Sequence, residues 1–253
     1  MRRDQLEALQ AMDLNAWILR DDAYSQRSVT RLEMTPEIST KPEMTPAAGE
    51  VATVSLNDGS GPVALDWDDL AGKVARCTRC DLAEGRHVAV FGTGDHTARW
   101  MIIGEGPGAE EDQRGEPFVG RAGKLLDAML AALQLRRDGV YIANIVKCRP
   151  PGNRDPSAVE IESCWPYLLR QIEWVDPALI LALGRVAAQR LLGVDSALSR
   201  LRGKVHNALG GRKLVATYHP AYLLRRPEAK AAAWQDLKLA LTTAAPRTVT
   251  SQP

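Results

Sequence analysis

Glu110, Glu111 and Asp112 stand side by side directly after the glycine-rich run Gly104-Glu105-Gly106-Pro107-Gly108-Ala109. Ionised carboxylates only accept hydrogen bonds, so they can orient water or face a cation, and they would repel a phosphate. The run formally matches G-x-G-x-x-A, but Pro107 sits inside it, and Asp127, the acid near the required spacing, falls in a helix-like stretch. Gly115-x-x-x-x-Gly120-Arg121-Ala122 lacks the Lys and Ser/Thr of a P-loop. The turn is therefore built for something other than a phosphate. One aromatic, Phe118, follows between Pro117 and the glycine-rich end of the loop, and Asn144, Asn153 and His219 come later. A lone histidine such as His219 is more often a structural hydrogen-bonding residue than a catalyst. Its place at the carboxyl end of a strand-like run strengthens the functional reading.

The four cysteines form a second constellation. Cys77-Thr-Arg-Cys80 is a C-x-x-C pair, Cys148 lies in Asn144-Ile-Val-Lys-Cys148-Arg-Pro-Pro-Gly-Asn153, and Cys164 follows. Four thiolates can hold a zinc ion or a 4Fe–4S cluster. A zinc ribbon prefers a second close pair, which is absent; four unlinked buried thiols are the ordinary alternative.

These residues need a scaffold. Trp100-Met101-Ile102-Ile103 reads as a buried strand and Lys124 to Leu133 as a helix, so the acidic turn joins strand to helix. Glycine there lets backbone approach a ligand closely. Strands are expected at about 100–104, 140–146, 178–183 and 213–217, and helices at Asp66 to Arg76, Ser157 to Trp174, Arg185 to Leu192 and Glu228 to Thr242. Alternation of this kind predicts an α/β fold with three layers, α/β/α, around a central four-stranded parallel sheet. Ligands of such sheets bind at the carboxyl ends of the strands.

Ahead of that domain, Leu6, Leu9 and Met12, then Leu14, Trp17 and Ile18, predict an amphipathic helix within residues 1–28. Residues 29–63 read as a flexible linker, with Glu33-Met34-Thr35-Pro36 repeated as Glu43-Met44-Thr45-Pro46. The folded domain is expected over 64–245, and 246–253 as a disordered tail.

The net charge of +1 gives no global signal for nucleic acid, but no acid occurs between Asp195 and Glu228, where seven Lys and Arg fall. Such a stretch is ordinarily a solvated face; it can also follow a phosphate backbone. No apolar run reaches the ~18 residues of a membrane span, and the N-terminus lacks the apolar core of a signal peptide. A cytoplasmic location without membrane contact is expected, a reducing compartment that keeps cysteines as thiols rather than structural disulfides.

Together, Gly104-Glu-Gly-Pro-Gly, Pro117-Phe-Val-Gly-Arg-Ala-Gly123, Asn144-Ile-Val-Lys-Cys-Arg-Pro-Pro151, His219-Pro-Ala-Tyr-Leu-Leu224 and the cysteine spacing resemble the iron–sulfur, family-four uracil-DNA glycosylases. The likeness spans about residues 70–243. It lacks the Arg-rich, His-containing insert of the related covalent-trapping branch, and Ala109 stands where many members carry another acid.

The resemblance implies a DNA-repair hydrolase that flips uracil out of DNA and breaks its N-glycosidic bond. It implies that Phe118 stacks on uracil, that Asn144 reads the O4 and N3–H edge, and that His219 hydrogen-bonds O2. Glu105 and Gly106 shape the pocket through their backbone, Glu111 positions water, and Asn153 assists. Leu223, four residues after His219, is the expected wedge, and Arg225 and Arg226 hold phosphates. Cys77, Cys80, Cys148 and Cys164 would ligate one 4Fe–4S cluster. The expected protein is a monomer acting on single- or double-stranded DNA, with residues 1–22 free to dock a replication or repair protein. Two other classes compete: a non-catalytic, cluster-bearing DNA-binding or polymerase-associated module, and a nucleotide-binding oxidoreductase.

Overall fold

The computed structural model describes residues 66–244. The helix expected within 1–28, the linker over 29–63 and the tail over 246–253 lie outside them. Four strands, β2 (Trp100–Gly104), β3 (Tyr141–Asn144), β4 (Leu179–Leu183) and β6 (Arg212–Thr217), run parallel. They are the four expected. Two short antiparallel strands, β1 (Thr93–Gly94) and β5 (Val205–Ala208), close the edges, so the described sheet has six strands in the order β1-β3-β2-β4-β6-β5.

The edge strands escape sequence reading for physical reasons. β1 is two residues long, and β5, Val-His-Asn-Ala, is mostly exposed and has no apolar face. The Gly210-Gly211 turn after it, with φ of +76° and +84°, is a hairpin signal that was there to be read. The central strands behave differently: every residue of β2, β3 and β4 is buried. Continuous apolar runs of this sort belong to strands covered on both faces.

Parallel neighbours require crossovers, and these are helical. α1 (Trp67–Ala75) is capped by Asp66, and α2 (Leu82–Gly85) is one turn. α3 (Ala109–Arg114) and α4 (Arg121–Ala132) link β2 to β3, and α5 (Ala158–Val175) links β3 to β4. α6 (Arg185–Leu192) and α7 (Leu198–Leu201) follow β4, and α8 (Pro220–Arg225) and α9 (Lys230–Ala244) follow β6. α5 starts at a capping box in which Glu160 accepts from the Ser157 N–H at 2.7 Å, and it carries Pro166 in its interior. α3 departs from the sequence expectation of a loop at the three acids, because Gly108 caps a helix there.

From β2 the chain moves to β3 on one side, then crosses back to β4 and β6 on the other. Right-handed crossovers in opposite directions cover opposite faces and leave a crevice at the reversal, beyond the strand carboxyl ends. Gly104, Asn144 and the residues after Thr217 all end there.

Candidate active site

The three adjacent acids have three different fates. Glu110 is exposed and lies 3.9 Å from Arg114. Asp112 is buried and accepts from the His87 N–H at 3.0 Å, with the His87 ring at 2.7 Å. Glu111 turns inward: one oxygen accepts from the Gly108 N–H at 3.1 Å, and the other from the N–H groups of Val119 and Gly120 at 2.9 and 3.0 Å. This carboxylate therefore caps α3 and α4 together, since Gly120 is the N-cap of α4. Its Oε2 keeps a lone pair for a further donor, and the residue lines the crevice.

Fixing Val119 and Gly120 also fixes Phe118, which is held at φ +54°, a left-handed conformation that bulky residues rarely adopt. The ring is buried and packs over Gly104, where a Cβ would sit 2.6 Å from Phe118 Cζ and 2.4 Å from Asn144 Oδ1. Only glycine lets these two side chains meet above the end of β2. From behind, Gly123 admits the Phe118 carbonyl, which would lie 1.8 Å from an added Cβ.

Asn144 ends β3 beside Gly104 and is 2% exposed. Its Oδ1 is buried with no hydrogen-bond partner among the described residues. Buried acceptors are rarely left so, and one that lines a pocket is an acceptor waiting for a donor. The Asn144 backbone is anchored from below by the buried Lys147, whose Nζ donates to its carbonyl at 3.1 Å and to Gln171 Oε1 at 2.6 Å. Gln171 in turn donates to the Phe91 carbonyl and to Tyr141 Oη, both at 3.0 Å. Burial pulls the Lys147 ammonium down to about 8.

His219 is the N-cap of α8, and its Nδ1 accepts the Ala221 N–H at 3.2 Å. That bond sets the tautomer: Nδ1 bears no proton, so the neutral ring carries its proton on Nε2. Burial, then the nearby Arg225 guanidinium, pull the imidazole down to about 4, against a smaller opposing pull from Glu111. The His219 and Phe118 rings lie 5.5 Å apart, centroid to centroid.

Glu105, Gly106, Glu111, Phe118, Asn144, Asn153, His219 and Arg225 line one cavity of about 330 Å³. Sequence reasoning missed Arg154, Asp155 and Tyr222, which share its wall. Asp155 pairs with Arg185 at 2.5 Å. Burial, then the Asp155 carboxylate, push the Glu105 carboxyl up to about 7, with Arg185 opposing. The Glu105 main-chain carbonyl accepts from the Val146 N–H at 3.1 Å, stitching the loops after β2 and β3 together. Asn153 Oδ1 accepts from Arg149 Nε at 2.8 Å.

One expectation fails. Leu223 is 0% exposed, so it is not a protruding wedge. The His219 cap sets the phase of α8, so Pro220 and Leu223, three apart, share the buried face, and α8 packs on α4. Tyr222 and Leu224 project instead, 38% and 37% exposed. The acid-free stretch is not one basic face: Arg202 pairs with buried Asp236, and Arg212 with Asp176. Arg226 stays exposed outside the cavity, 3.7 Å from Glu228.

Cys77, Cys80, Cys148 and Cys164 line a second cavity, bounded by α1, α2, α5 and the segment after β3. None is in a disulfide. Among the described residues no three His, Cys, Asp or Glu side chains converge as ligands of a single ion. The donor set nonetheless suits a thiolate-held group. Arg86 donates to Cys148 Sγ at 3.1 Å and the Lys147 N–H to Cys164 Sγ at 3.2 Å. Hydrogen bonds to sulfur and nearby cations stabilise thiolates. Burial pushes the Cys164 thiol up to about 12, so that thiol stays protonated until something cationic takes it.

A family model described as "Uracil DNA glycosylase superfamily" matches residues 91–238. A type-4 uracil-DNA glycosylase of Archaeoglobus fulgidus is 44% identical over 178 residues, covering 68% of this chain and 89% of the relative. Another, of Thermotoga maritima, is 46% identical over 154 residues, 60% and 80% of the two chains. A third, of Pyrobaculum aerophilum, is 41% identical over 182 residues, 69% and 93%.

Proposed function

The chain belongs to the uracil-DNA glycosylase superfamily, among its type-4 enzymes, and from that premise we propose how its own residues recognise and release uracil. The activity is removal of uracil from DNA by hydrolysis of the N-glycosidic bond, in base excision repair. The observation that carries the site assignment is the unpartnered, buried Oδ1 of Asn144. Uracil offers it N3–H, leaving the amide NH₂ for O4. Cytosine bears no hydrogen on N3, so with the amide in this orientation it would leave the acceptor orphaned, a cost of about 1–3 kcal/mol. Phe118 supplies the face on which the ring stacks.

Bond cleavage sends the C1′–N1 electron pair to uracil, which leaves as an anion with charge on O2. The Nε2–H of neutral His219 donates to that oxygen as charge develops. Water adds to C1′, its oxygen becoming the C1′ hydroxyl of the abasic site and its second proton passing to solvent or to the uracil anion. Glu111, immobilised by three backbone N–H donors, orients that water and faces the cationic sugar, with Asn153 beside it. Arg225 and Arg226 hold flanking phosphates.

Cys77, Cys80, Cys148 and Cys164 hold a 4Fe–4S cluster, supported by their shared cavity. Held there, it would cross-link the segment from α1 to α2, α5 and the loop beyond Asn144. A reducing, cytoplasmic setting suits free thiols, and among the described residues no helix is long and apolar enough to cross a membrane.

The test is release of free uracil from a uracil-containing oligonucleotide by wild type and by Asn144→Asp. Wild type should turn over, and the variant, which loses the amide donor to O4, should lose most of the rate. Equal rates would remove Asn144 from the role.

A further inference from the structure

The rim of the uracil pocket carries an aromatic stack that none of the roles above uses. Tyr222 lines the cavity mouth and is 38% exposed. One face of its ring is covered by Tyr218, centroids 5.1 Å apart and planes 16° from parallel. Tyr218 is itself backed by the Arg202 guanidinium, 4.7 Å from the ring centroid. Arg202 does not move freely: Nε donates to Asp236 Oδ2 at 2.9 Å, and a second nitrogen donates to the Ala232 carbonyl. Asp236, fully buried, also accepts from Thr217 Oγ1 at 2.8 Å and from the Gly203 N–H at 3.1 Å. A buried carboxylate thus anchors a guanidinium, the guanidinium backs one ring, and that ring backs a second at the pocket mouth.

We propose that Tyr222 is a stacking platform for a nucleobase of the uracil-bearing strand, the one next to the extruded nucleotide. Three observations select this ligand. The ring is flat, preorganised and open, which costs little ordering on binding. Arg225 and Arg226 follow within four residues, placing cations where the adjoining phosphates would run. The uracil subsite at Phe118, Asn144 and His219 is filled by the extruded base, so the rim is left to its neighbour. Base–aromatic stacking tolerates any sequence, because every base has a π-face. The inference rests on the uracil pocket as assigned above.

A platform differs from a wedge in its substrate dependence. A wedge fills the gap left in a duplex and matters only there; a platform holds a strand whether or not it is paired. The experiment measures binding of oligonucleotides carrying 2′-fluoro-deoxyuridine, which resists cleavage, as single strand and as duplex. Tyr222→Ala should weaken both by roughly five- to a hundredfold, while Tyr222→Phe and Tyr222→Trp retain affinity. In Tyr222→Trp the added indole emission should be quenched by either oligonucleotide. Unchanged binding in Tyr222→Ala, a loss confined to the duplex, or failure of Tyr222→Phe to retain affinity would each overturn the proposal. Inhibition by free uracil provides the control. It should be equal in wild type and Tyr222→Ala, and its absence in wild type would indict the pocket assignment while the oligonucleotide binding still decides the platform.

Discussion

Two stretches bound the pocket, and they behave oppositely under sequence reading. From Gly104 to Gly123 the wall is built of residues that permit close approach: Gly104 under Phe118 and Asn144, Gly123 under the Phe118 carbonyl, and Glu111 spanning two helix starts. There the residue type itself reports the geometry, because few alternatives fit. From Tyr218 to Arg226 the wall is a helix of a turn and a half whose leucines and tyrosine differ only in phase. His219 caps it, which buries Leu223 and exposes Tyr222. Residue type is a weak guide where a rotation about a helix axis decides what faces DNA.

The sharpest way to break the contrast is to cut the two neighbouring leucines back in turn. Leu223→Ala should cost about 2–5 kcal/mol of stability, as a fully buried leucine does. Leu224→Ala should stay within about 0.5 kcal/mol. Chemical denaturation checks both; the reverse order would return Leu223 to the surface and restore the wedge.

The same contrast runs through the acids. Glu111→Ala should lower the single-turnover rate by roughly tenfold to a thousandfold, about 1.4–4 kcal/mol of barrier. It should also lower stability, because three backbone N–H donors lose their acceptor. Glu110→Ala should change neither. Glu111→Gln separates the two effects: the amide oxygen preserves part of the capping, so rate should fall more than stability. Rate loss that tracks stability across both variants would leave Glu111 a cap alone.

His219→Ala should cost roughly tenfold to a thousandfold in rate. The pH profile is the more specific check. A ring held down to about 4 remains the neutral Nε2–H donor at every pH above that, so it should add no inflection near its ordinary 6.5. The stability sign agrees: the unfolded ring binds a proton below about 6.5 and the folded one does not, so stability falls as pH drops toward 4. A histidine resonance titrating near 6.5 and assigned to residue 219 would defeat the neutral-donor assignment.

Legibility followed physical constraint. The four parallel strands were readable because each carries an apolar run at its centre, Leu214-Val215-Ala216 in β6 for one, and Glu111, Asn144 and His219 converge where the strand ends predicted. Helix α3 was not readable as helix, because its N-cap is a glycine and its evidence is a carboxylate folding back from Glu111. The stack of Arg202, Tyr218 and Tyr222 was invisible for another reason. Its anchor, Asp236, lies in α9, joined to the rim only by the fold.

The smallest expected effect belongs to Glu105, and it tests the first wall through a carboxyl pushed toward neutral pH. The carboxyl faces Asp155, which is itself paired with Arg185, and burial and Asp155 together push it up to about 7. Below that pH it is neutral; above it, it places a negative charge in the pocket where the uracil anion forms. Like charges raise each other's energy, so the rate should decline as pH rises through about 7, by roughly threefold to tenfold, or about 1 kcal/mol. Glu105→Gln keeps the shape without the charge and should abolish the decline, leaving a flat profile from about pH 6 to 8. Stability has its own sign: the folded state holds the proton to higher pH than the unfolded, so stability falls as pH rises from about 4.5 to about 7, and Glu105→Gln should remove that slope too. Single-turnover rates for both proteins across this range decide it. If the decline persists in Glu105→Gln, another group carries it, and the wall from Gly104 to Gly123 acts through shape and backbone donors alone.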